Sequence, residues 1–108
     1  MTRGSVIWVD LSGTAPPEMG RRRPAVVVSG SVHNQILDTL VAVPLSSQAP
    51  EIPLLRLRVV TAALRRVSYA VVPGLRQIKR SRILGQAGHL SAEDLARLDH
   101  AIRAYLSD

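Results

Sequence analysis

Arg21, Arg22 and Arg23 are the densest positive charge in the chain, and they run straight into Pro24 and the apolar stretch Ala25 to Val28. Pro24 fixes φ at that junction and pushes Arg23 towards an extended conformation. Arg23 is thereby expected at a rim where a loop meets a rigid strand, a place that can hold one guanidinium against an anion. Three arginines in a loop read equally as a solvated basic turn, and this stretch alone does not separate the two. The other groups able to do chemistry are few. His33 lies in a connection, His89 just before a helix start and His100 on that helix, and no two of them have metal-ligand spacing. His89 and His100 read as structural or exposed, whereas His33 follows a strand and could approach a groove. The absence of cysteine excludes disulfides, thiolate zinc sites and cysteine nucleophiles.

Charge points to the partner. Among 108 residues, fourteen Lys and Arg face eight Asp and Glu, for a formal charge of +6. Residues 1–90 carry twelve of the basic and four of the acidic side chains, so the body is cationic and the C-terminal tail mildly anionic. Thirteen of the fourteen positive residues are Arg, the side chain that forks onto phosphate oxygens. A polyanion or an acidic protein segment is the expected partner. The only aromatics are Trp8, Tyr69 and Tyr105, too few for a base-stacking platform. No apolar run reaches transmembrane length and the N-terminal one is too short for a signal peptide, so the expected location is the cytoplasm.

The elements that must position these groups are short. Residues 3–11 are rich in β-branched residues and read as a strand, with Trp8 expected in the core. Residues 12–23 have loop chemistry, long for so small a chain. Strands follow at about 24–29, 39–45, 54–60 and 67–72, with one helical turn near 32–37. Pro44 marks a strand end, an edge or a bulge. A second loop covers 46–53. Arg56 and Arg58 alternate with Leu55, Leu57 and Val59 and share one exposed face. Residues 61–66 are ambiguous, 75–78 pair again, Lys79 to Arg82 is a basic turn that either holds phosphates or keeps the surface soluble, and 83–90 returns to the sheet. Ser91 as N-cap, with Leu95, Leu98, Ile102 and Tyr105 at helical spacing, predicts an amphipathic helix over about 91–106. The sum is one mainly β domain over 1–108, a small barrel of five to seven strands closed by a C-terminal helix.

At this point the sequence resembles the MazF/PemK family of toxin endoribonucleases. Arg3 to Leu11 is similar to the family's opening Arg-Gly-Asp-(Val/Ile)-(Val/Ile)-Trp-Val-Asp-Leu. Glu18 to Ser29 resembles its Glu-Gln-Gly-x-x-Arg-Pro-Ala-(Leu/Val)-Val-Val-Ser. Val43-Pro44-Leu45-Ser46-Ser47, then Ser68 to Val72 with Leu75-Arg76, then Gly88-His89-Leu90-Ser91 with Leu95, Leu98 and Asp99, follow in family order over roughly residues 3–106.

The resemblance implies an SH3-like barrel, usually a homodimer. It implies cleavage of single-stranded RNA, often mRNA, at short motifs without a metal or other cofactor, which inhibits translation and growth. It also implies an acidic antitoxin that fills the RNA groove. The family's catalytic Arg matches Arg23, its catalytic Thr matches Ser46 and its loop Glu matches Glu18. Arg21, Arg22, Ser47, Gln48, Arg56, Arg58 and Arg76 are expected to contact RNA. Met19, Ser5, Pro73 and Gly74 depart from the pattern and bear on base preference.

Metal-free cleavage uses the neighbouring 2′-OH as nucleophile and leaves a 2′,3′-cyclic phosphate and a 5′-OH. A fixed guanidinium and a hydroxyl can stabilise the charge that builds on the phosphate, provided the two strand ends meet. Arginine is a poor base near neutral pH, which leaves Glu18 or water for that role. Two other readings stay open: a gyrase poison like the CcdB toxins, which share the fold, and a catalytically degenerate RNA-binding module.

Overall fold

The structure is a computed structural model, and it describes residues 1–12, 22–48, 50–61, 64 and 67–107. Seven strands form a single twisted sheet. They are β1 (Ser5–Asp10), β2 (Arg22–Val27), β3 (Thr39–Ser46), β4 (Arg56–Val59), β5 (Ser68–Val71), β6 (Arg76–Lys79) and β7 (Ile83–His89), and all their pairings are antiparallel. The short helix α1 (Ser31–Ile36) links β2 to β3, and α2 (Ala92–Tyr105) ends the chain. The expected barrel-like β fold with a closing helix is therefore what forms. Most of the ambiguous 61–66 segment and most of the 12–23 loop lie outside the described residues.

β3 is the shared wall. One side of it pairs with β2; the other pairs with β6 at Thr39–Ala42 and with β5 at Leu45 and Ser46. The change of partner falls at Val43 and Pro44, where a 3-10 turn at Val72–Gly74 joins β5 to β6. A residue without an N–H is tolerated where no ladder runs on that side, which is why Pro44 sits inside a strand.

Alternation along the strands builds two cores, one on each face of this wall. Val6, Val26, Val43, Leu45, Leu57, Val59, Ala70 and Val72 pack beneath α2, which contributes Leu98 and Ala101. Ile7, Val9, Leu11, Ala25, Val27, Leu40, Ala42 and Ile78 form the second cluster. Trp8 corrects the sequence expectation. Its neighbours Ile7 and Val9 turn inward, so Trp8 turns outward between its strand partners Pro24 and Gly85 and remains 40% exposed. Tyr105 likewise runs past the body and is 44% exposed, so the buried stripe of α2 ends at Ala101 and Ile102.

α2 begins as its sequence requires. Ser91 Oγ accepts the Asp94 N–H at 3.1 Å, and Glu93 and Asp94 lie in the positive first turn. Two attachments then fix the helix. Asp94 accepts the Val60 N–H at 3.2 Å, and Arg97 donates to the Arg58 carbonyl at 3.0 Å. Further along, Asp99 takes a two-pronged ion pair from Arg3, which also donates to the Val28 carbonyl at 3.0 Å. Gly4 makes the turn into β1 at φ +89°, its N–H bonded to the Val27 carbonyl at 2.7 Å.

Candidate active site

Arg23 and Ser46 occupy facing strands. β2 and β3 pair residue for residue, Val27 with Ala42, Val26 with Val43 and Ala25 with Pro44. That ladder ends at Ala25 and Pro44; Arg23 and Ser46 lie two residues beyond it, each still inside its strand through pairing with β1 and β5 respectively. Alternation from Ala25 and Pro44 puts the two side chains on one face. The site needs these strand ends close to one another, and the two strands pair up to two residues short of them. Ser46 is 8% exposed and its Oγ accepts the Gln48 N–H at 3.3 Å, a local turn that leaves the hydroxyl hydrogen to point elsewhere. Arg23 is half-buried.

The row continues across the sheet. Ser46 pairs with Tyr69 of β5, and Tyr69 pairs with Arg58 of β4. Directly opposed residues share a face, so Ser46, Tyr69 and Arg58 line up across three strands, roughly 10 Å from end to end, on the face that Arg23 also shares. Arg56 lies on the same face, paired with Val71. The other side of β4 and β5 is core, with Leu57, Val59 and Ala70 buried. As an edge strand, β4 is held along its free side: the Arg58 N–H donates to Glu51 at 3.3 Å and the Arg58 carbonyl accepts Arg97.

The remaining expected site residues sit differently. Ser47 and Gln48 are exposed just beyond Ser46. Arg76 pairs with Ala42 on β6, four residues or ~13 Å along β3 from Ser46. Arg22 turns to the opposite face from Arg23 and pairs with Asp10. The Asp10 carboxyl is held below the usual carboxylate range, first by the Ser12 hydroxyl and N–H, with a smaller pull from Arg22 and Arg82. Glu18 and Arg21 lie outside the described residues. His33 contacts Thr39 at 3.3 Å, at the far end of β3 and roughly 23 Å from Ser46. Nδ1 of His89 is 2.7 Å from the Leu90 carbonyl.

The basic turn after β6 has a structural occupation that its sequence does not announce. Arg82 donates to the carbonyls of Asp10 and Ser12, both at 3.1 Å, and so ties down the root of the first loop. Arg80 donates to the carbonyls of Asn34 and Leu37 and fastens α1. Sequence reasoning also missed Tyr69, because strand alternation gives its face but only the register gives its neighbours. Among the described residues, no group of three or more His, Asp or Glu could hold a metal ion, and no helix is long and apolar enough to cross a membrane.

The fold is thus a small two-core barrel with a guanidinium and a hydroxyl near adjoining strand ends, on a face that also carries Arg56 and Arg58. The chain belongs to the PemK-like, MazF-like toxins of type II toxin–antitoxin systems, whose sequence profile matches residues 2–106. It is 32% identical over 113 residues to endoribonuclease MazF9 of Mycobacterium tuberculosis, covering 98% of this chain and 96% of that protein. Its fold superposes on the crystal structure of MazF from Deinococcus radiodurans with a TM-score of 0.86 at 25% identity, over 98% of this chain and 96% of that one. A mycobacterial endoribonuclease in complex with its cognate antitoxin matches with a TM-score of 0.82 at 19% identity, over 98% of this chain and 94% of that one.

Proposed function

We propose that this protein is the toxin of a toxin–antitoxin pair and a metal-independent endoribonuclease of the mRNA interferase type. It cuts single-stranded RNA in the cytoplasm at a short motif and thereby inhibits translation and growth. It works as a homodimer and is silenced by an acidic antitoxin. The observation that supports this reading is the β2–β3 ladder, which ends two residues short of Arg23 and Ser46 on strands that carry both on one face. In the reaction, a ribose 2′-OH attacks the adjacent phosphorus, the P–O5′ bond breaks, and the products are a 2′,3′-cyclic phosphate and a 5′-OH end. Arg23 neutralises the charge that builds on the non-bridging oxygens, and Ser46 donates a hydrogen bond to the same group. In this reading Arg23 is also the acid for the leaving 5′-oxygen, and Glu18 or water accepts the 2′-OH proton. Arg21, Ser47, Gln48, Arg56, Arg58 and Arg76 hold the flanking RNA, whereas Arg22, on the opposite face, does not.

The test is incubation of the purified protein with a long single-stranded RNA in EDTA, beside Arg23→Ala and Ser46→Ala, with mapping of the new ends. Discrete cuts with 5′-OH ends are expected. Arg23→Ala should abolish them, and loss of one hydrogen-bond donor at Ser46 should slow them by about 10²- to 10³-fold. Cuts that persist at the original rate in Arg23→Ala overturn the assignment. Intact RNA together with gyrase inhibition would replace it with the poison reading.

A further inference from the structure

Tyr69 is the one aromatic side chain on the face that carries Arg23 and Ser46. Of the other two, Trp8 neighbours Val9, the strand partner of Arg23, and so points to the opposite face. Tyr105 is on the last turn of α2, behind the sheet. Tyr69 is paired on one side with Ser46 and on the other with Arg58. Each step across the sheet is about 4.8 Å. A phosphate held by Arg23 and Ser46 therefore has the tyrosine ring one strand away and a second guanidinium one strand further.

That sequence of groups (cation and hydroxyl, ring, cation) is the repeat unit of a single-stranded nucleic acid contact. Cations take phosphates and a π-face takes a base in between. An isolated ring cannot form a platform, so it takes one base. It is also placed by rigid elements. Ser68 and Ala70 on either side of it are buried, and the far edge of β4 is tied to α2 through Arg97. Stacking tolerates any base but rewards the larger ones, so a ring here favours a purine over a pyrimidine at one position without a hydrogen-bond code.

We propose that Tyr69 stacks the base of a nucleotide adjacent to the scissile phosphate, and that it is a positioning residue for single-stranded RNA. This rests on the ribonuclease reading, so the test separates the two. Binding is measured by fluorescence anisotropy with a labelled single-stranded RNA whose riboses are all 2′-fluoro, which removes the nucleophile. A second set of the same RNA carries a single abasic residue at each position in turn. Tyr69→Ala should weaken the parent RNA about tenfold, and Tyr69→Phe should bind within about twofold of the native protein. One abasic position should cost the native protein about tenfold and cost Tyr69→Ala nothing further. Thermal unfolding of both variants establishes that they are folded. Three results overturn the proposal: no binding by the native protein, Tyr69→Phe as weak as Tyr69→Ala, or no abasic position at which the two losses merge. Cleavage of the unmodified RNA is scored in parallel. Its absence in the native protein overturns the ribonuclease reading, while the binding arm still decides Tyr69.

Discussion

Gly74 offers a clean measurement of how tightly β3, the strand that carries Ser46, is held. It ends the 3-10 turn that crosses β3 where that strand changes partners. A Cβ added at Gly74 would lie 2.7 Å from Pro44 Cγ and 3.1 Å from Pro44 Cδ. Carbon atoms at rest sit about 3.5–4.0 Å apart, so the overlap approaches 1 Å. The obstructing group is a ring fixed within β3, not the free end of a long side chain. Gly74 has no positive φ, so Gly74→Ala tests sterics without backbone strain. Overpacking of this kind costs about 1–3 kcal/mol. A loss near 2 kcal/mol would lower Tm by roughly 8–16 °C in a domain of this size. The control is Gly85→Ala, because a Cβ there meets nothing within 4 Å; it should be neutral or slightly stabilising. Urea unfolding gives both numbers from the midpoints at unchanged slope. Pro44 is two residues from Ser46 on the same strand, so relief of the clash also shifts the hydroxyl. A displacement near 1 Å at a reacting group costs about 10²-fold in rate. Gly74→Ala should thus lose cleavage at a temperature where it is fully folded. A midpoint equal to that of Gly85→Ala would refute the steric argument, and full activity in a destabilised Gly74→Ala would refute the link to Ser46.

Two further outcomes follow from the ion pairs. Asp99→Ala removes the partner of Arg3 and should cost about 1 kcal/mol in urea unfolding, since both side chains are partly exposed, and the loss should shrink in high salt; an unchanged midpoint would show the pair to be idle. The depressed Asp10 carboxyl contributes stability above the unfolded carboxylate range, about pH 3.9, and loses it as pH falls through the lower folded value. Thermal unfolding of Asp10→Asn should therefore differ from the native protein at pH 5–7 and converge with it towards pH 2; a difference that grows on acidification would contradict the assigned partners.

The strands and the closing helix were legible because their signals are local: β-branched runs, the Ser91 cap and the three-and-four spacing of Leu95 and Leu98. That Arg23 and Ser46 belong to one site was suggested by resemblance alone, since the two are far apart in sequence and only the β2–β3 ladder relates their strands. Trp8 was misjudged because size and apolarity argue for burial, whereas alternation between Ile7 and Val9 decides its face. Arg80 and Arg82 look like surface charge, yet each donates to backbone carbonyls distant in sequence, which no charge count reveals. The Arg3 and Asp99 ends of the family pattern turn out to be one contact, made across nearly the whole chain.

The change of partner along β3 has a consequence for how such a protein diversifies. Arg23 lies just beyond the β2–β3 ladder, whereas Ser46 is one of the β3 residues paired with β5. Arg58 and Tyr69 stand on the β4–β5 hairpin, which meets β3 at only two register positions. The groups that would read the neighbouring nucleotide therefore hang from the strand end that carries the Ser46 hydroxyl. A substitution on the hairpin that moves β5 would move that hydroxyl with it, so sequence preference and cleavage would change together.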